Sequence, residues 1–137
     1  MDIAAFPSTP YALMRRLPHV SVADAIARTR GALAAEGFGV LTEIDMKTTL
    51  KAKLGVDVRE YVVLGACNPP LAFQALSEEP GVGLLLPCNV VVSADDAGGS
   101  IVAAVDPLAL FAVVARPEIE VLALEVRARL DRAINAV

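Results

Sequence analysis

YVVLGACNPPLAFQAL, running from Tyr61 to Leu76, contains the change of period that decides the fold. Tyr61 to Leu64 is an unbroken apolar run, so Arg59 to Ala66 reads as a strand covered on both faces. At Asn68 the pattern changes. Pro69 and Pro70 suit the first turn of a helix, where a backbone N–H has no intrahelical acceptor. The helix runs on through Leu71, Phe73 and Leu76 and ends before Pro80-Gly81. A strand buried on both faces needs strands beside it and helices against it.

Both are found on either side. Upstream, Phe38 to Asp45 alternates as a strand, with Phe38, Val40, Thr42 and Ile44 expected toward the core and Glu43 and Asp45 away from it. Met46 to Leu54 reads as a helix stopped by Gly55. Ser21 suits an N-cap with Asp24 in the capping-box position. Val22, Ile26, Thr29 and Leu33 then paint one helical stripe, and Gly37 suits the residue just past its end. Tyr11 to Leu17 is expected as the first strand, and residues 1–10 as a loose terminal segment. Downstream, Leu84 to Ser93 is expected as a strand in which Pro87 marks an edge or a bulge. Asp95 to Gly99 makes a hairpin turn, and Ile101 to Val105 returns. A short helix at Leu108 to Val114 precedes a long one opened by Pro117, whose stripe is Ile119, Leu122, Val126, Leu130 and Ile134. The order β-α-β-α-β-α-β-β-α-α implies a two-layer α+β domain with a largely antiparallel sheet. A ferredoxin-like split βαβ arrangement is the alternative.

Composition narrows the function classes. The 137 residues are 55% hydrophobic and 20% charged, too apolar for a disordered chain. The length suits one domain, which at this size needs no disulfide or metal to fold. The net charge is -4, with no basic stripe among aromatics, so nucleic acid is not expected as a partner. The apolar runs break at Asn68, Pro69, Pro70, Gly98, Gly99 and Pro107, so none reaches the length of a membrane span. A soluble, cytoplasmic protein with two reduced thiols is expected. The two cysteines and the single histidine fall short of a structural zinc set. No pattern calls for a metal or a cofactor.

Three phrases taken together are specific: EIDMK within Gly37 to Gly55, GACNPPLA within Tyr61 to Leu76, and LLPCNVVV within Gly83 to Val92. In this order they resemble the domain-of-unknown-function 302 family over about Ser21 to Val137. The resemblance implies an α+β fold like that of the TATA-binding protein, without DNA binding. It further implies a bacterial or archaeal protein that forms homodimers. It implies no particular activity.

Cys67 is the sharpest chemical candidate. It ends a strand just before a helix, where free N–H groups and the helix dipole would lower a thiol pKa or hold a small anion. A buried apolar thiol is the alternative. Cys88 and Asn89 echo Cys67 and Asn68, and neighbouring strands would bring the two thiols together. Glu43, Asp45 and Lys47 form a second cluster that could do acid–base work or hold a cation, or could be a solvated strand edge with Asp45 capping the next helix. His19 is expected at the surface. Two functions follow: a small-ligand or anion-binding module sited at Cys67-Asn68-Pro69, or a thiol-dependent enzyme or redox protein using Cys67 with or without Cys88.

Overall fold

The computed structural model describes residues 2–137. Its elements are β1 (Ala12–Leu17), α1 (Val22–Ala35), β2 (Gly39–Asp45), α2 (Met46–Leu54), β3 (Tyr61–Cys67) and α3 (Pro69–Glu78). They continue with β4 (Cys88–Ala94), β5 (Ser100–Val105), α4 (Pro107–Phe111) and α5 (Pro117–Asn135). This is the order expected from the sequence. The strands form one antiparallel sheet in the order β1-β5-β4-β3-β2, with helices packed on it as a two-layer α+β fold.

Local chemistry places the boundaries. Ser21 Oγ accepts the Asp24 N–H at 3.1 Å and so caps α1. At the other end Gly37 takes a φ of +84°, and the N–H groups of Gly37 and Phe38 return to the carbonyls of Ala34 and Leu33. That pair of bonds closes the helix while Phe38 packs into the same core as Leu33. The main core lies between the sheet and helices α1 and α5. Val62, Leu64, Val90, Val92, Val102 and Ala104 meet Leu33, Leu130 and Ile134 there. A second, smaller core gathers Ala75 of α3, Val82, Phe111 of α4, and Ile119 and Ala123 of α5.

The structure corrects three expectations. In β2, Val40 lies opposite Ala66 but Thr42 lies opposite Gly65, so Leu41 is an extra residue. This bulge reverses the alternation. Val40 stays on the helix side, Thr42 and Ile44 pass to the other face, and Glu43 and Asp45 come round to the helix side. Phe38 and Val40 therefore face the helices, while Thr42 and Ile44 face the other way. The bulge also sets Thr42 over Gly65, where a Cβ would lie 2.2 Å from Thr42 Oγ1 and 2.8 Å from Pro87 Cγ. Second, β3 is not equally covered: Val62, Leu64 and Ala66 are buried while Tyr61 and Val63 are half-buried. The central strand is β4. Third, Pro80–Leu85 forms a 3-10 turn, and β4 begins only at Cys88. Pro87 stands ahead of the ladder, where its missing N–H costs nothing.

Residues 3–9 have no regular secondary structure, yet they are held. The Arg59 N–H donates to Asp2 Oδ1 at 2.6 Å, and Arg59 Nε donates to the Ile3 carbonyl at 2.7 Å. At the other end the Asp106 N–H donates to the Tyr11 carbonyl. The segment is a strap beside Tyr61, on the face of β3 turned away from α1 and α5.

Candidate functional site

The seam between the two cores leaves a hollow of about 40 Å³. Its floor is the end of β3 and the start of β4, with Ala66, Cys67 and Cys88. One wall is α3, through Leu71, Ala72 and Ala75; the other is α5, through Ile119, Leu122 and Ala123. Phe38 and Phe111 complete it. Facing alanines on the two helices are too short to fill the seam, which is why a hollow exists. Its only polar side chains are Asn68 and the two thiols.

Asn68 is buried and structural. Its Oδ1 accepts the Leu71 N–H at 3.3 Å, and its Nδ2 donates to the Glu36 carbonyl at 3.4 Å. It thereby caps α3 and ties it to the end of α1. This changes the chemistry expected at Cys67. Pro69 and Pro70 have no N–H, Asn68 Oδ1 takes that of Leu71, and the Asn68 carbonyl takes that of Ala72. The first turn of α3 presents no free donor. The expectation that unpaired amides face Cys67 fails, and with it the basis for an anion there.

The thiols are both free. Cys67 is half-buried, and Cys88 is buried. The register pairs Cys88 with Ala66, so Cys67 stands one residue beyond and the two are not a directly opposed cross-strand pair. Burial, with a smaller push from Cys67, raises the Cys88 pKa from 9.0 to about 11. Cys88 is therefore a protonated, apolar wall of the hollow. His19 follows β1, close to Gly99 of the β4–β5 hairpin. That is the opposite end of the sheet from Cys88, roughly 20 Å away along a seven-residue strand. No Cys–His pair forms.

The remaining candidates lie elsewhere. Asn89 is exposed and faces the other side of the sheet, opposite Gly65. Glu43 pairs with Arg30 at 2.9 Å across to α1. Asp45 Oδ1 caps α2 by accepting the Thr48 N–H at 3.0 Å, and Lys47 Nζ donates to the Val58 carbonyl. Each of the three is committed to a structural contact, and none reaches the hollow. Among the described residues no group of three or more His, Cys, Asp or Glu is placed to hold a metal ion. No described helix is long and apolar enough to cross a membrane. The sequence reading missed the walls, Ala72, Ala75, Phe111 and Ala123. The small residues on α3 and α5 were their only signal.

The family model described as "Domain of unknown function DUF302" matches residues 14–137. The chain belongs to the DUF302 family. No curated protein matches this DUF302 chain. It is similar to an uncharacterised conserved DUF302 protein from Bacillus stearothermophilus, known from a crystal structure. The TM-score is 0.86 at 26% identity, over 93% of this chain and 98% of that one. The match begins at Met14, so β1 falls largely within the family, earlier than the Ser21 start taken from the sequence.

Proposed function

We propose that this DUF302 chain is a binding module that takes a short apolar group into the hollow beside Cys67. The observation that carries the reading is the lining. Aliphatic and aromatic side chains surround two thiols, and every amide of the adjoining helix start is absent or occupied. Such a site favours an alkyl or soft sulfur-bearing group and disfavours a charged one. At about 40 Å³ it accepts the end of a ligand rather than a whole one.

The test is a titration followed through backbone amide NMR shifts. 1-Butanol is expected to shift Cys67, Ala75 and Ala123 saturably, and Ala123→Leu, which fills the hollow, should remove the effect. Inorganic phosphate should leave these amides still. Phosphate shifts at Asn68 and Leu71 without any response to butanol would overturn the reading. The thiol-enzyme alternative has less support, because Cys88 holds its proton and no base stands near Cys67. Rapid alkylation of Cys67 below neutral pH would restore it.

The chain is further proposed to pair with a second copy. Phe73 of α3 and Val121 of α5 support this, being 73% and 66% exposed beside one shallow groove. Sedimentation equilibrium at micromolar concentration should give twice the chain mass; a monomer throughout would exclude the pairing.

A further inference from the structure

Both tyrosines of the chain line one cavity, on the far side of the sheet from the hollow. The cavity measures about 610 Å³ and is bounded by the strap, by Met46 and Leu50 of α2, and by Tyr61 of β3. Phe6 joins Tyr11 and Tyr61 there, so half of the chain's six aromatic rings converge on it. No lining residue carries a charge.

The phenol hydroxyls of Tyr11 and Tyr61 give the cavity polarity. Thr9 lines it as well, but its Oγ1 is shut off from the open space. Burial, and secondarily the neighbouring Tyr11, push the Tyr61 phenol up. It stays protonated at neutral pH as a donor.

We propose that this cavity is a second binding site, for a small uncharged aromatic molecule bearing a hydroxyl or carbonyl oxygen. The ring lies among Phe6, Tyr11 and Met46, where offset aromatic stacking and sulfur–aromatic contact are both offered. The oxygen bonds the Tyr61 or the Tyr11 phenol. A charged analogue is refused, because Arg59 is already held by Asp2, Asp96 and the Ile3 and Ala94 carbonyls. The volume falls within the range of roughly 300–1,000 Å³ usual for small-molecule pockets.

The experiment titrates the intact chain with p-cresol, with toluene and with benzoate, followed by amide NMR shifts. Saturable shifts of Phe6, Thr9, Met46 and Tyr61 are expected with p-cresol, at least threefold weaker binding with toluene, and none with benzoate. Tyr61→Phe should cut p-cresol affinity at least threefold and leave toluene unchanged. Leu50→Trp fills the cavity from α2 without touching the strap, and it should abolish binding of both while the melting temperature confirms folding. The proposal is overturned if p-cresol shifts only amides around the Cys67 hollow, or if toluene and p-cresol bind equally. Survival of p-cresol binding in folded Leu50→Trp overturns it as well.

Discussion

Cys88 shows how much one side chain's surroundings matter. Its thiol shares the main core with Val90, Ala66 and Phe38, and burial holds its proton to about pH 11. In the unfolded chain a cysteine loses that proton near 9.0. Between these values the unfolded state binds fewer protons than the folded one, so stability falls as pH rises. The loss is at most about 3 kcal/mol for a shift of this size. Urea denaturation at pH 8 and at pH 10.5 should reveal it, and Cys88→Ala should flatten the difference. The sequence marked both cysteines as candidates but could not separate them, because burial depends on which strand is central.

At the scale of the element, α3 depends on Asn68. The side chain joins two helix ends, capping its own helix and reaching the last turn of α1. Asn68→Ala should cost about 1–2 kcal/mol, the usual cost of a lost N-cap. Asn68→Asp keeps the acceptor for Leu71 but loses the donor to Glu36, so its urea midpoint should fall between those of the wild type and the alanine variant. Equal midpoints for both variants would show that the link to α1, not the cap, is what counts. The start of α3 was legible because Asn-Pro-Pro after a strand has few other readings. The faces of β2 were not. Its alternation looked regular from Phe38 to Ile44, and nothing in that string marks Leu41 as the extra residue. A bulge is set by the partner strand, here by the need to seat Thr42 over Gly65.

Over the whole molecule, the order of elements was readable because each has its own period and its own stop. The strap was not. Residues 3–9 have no period, and what holds them is Arg59, far along the chain. The Asp2 carboxyl is held below its ordinary 3.8, chiefly by the Arg59 N–H, which outweighs the cost of desolvation, with lesser help from the Ile3 N–H and the Arg59 charge. A lowered carboxyl pKa stabilises the folded contact above the unfolded value and ceases to as pH falls through the folded one. The strap should therefore stay closed at pH 7 and loosen below about pH 4. Amide hydrogen exchange at residues 3–9 should accelerate there beyond its intrinsic pH trend, while β3 and β4 stay protected. Asp2→Asn should show the faster exchange already at pH 7.

The extra residue in β2 also bears on how these molecules behave in a crowded solution. β2 is one of the two outer strands, and an outer strand offers unpaired backbone groups to any neighbour. The kink at Leu41 twists that rim, and Glu43 and Asp45 lie along it with their charges. A straight, regular rim would be a template for stacking sheet upon sheet. Excising Leu41 would leave every other side chain on its present face and straighten the strand, turning a guarded margin into an adhesive one.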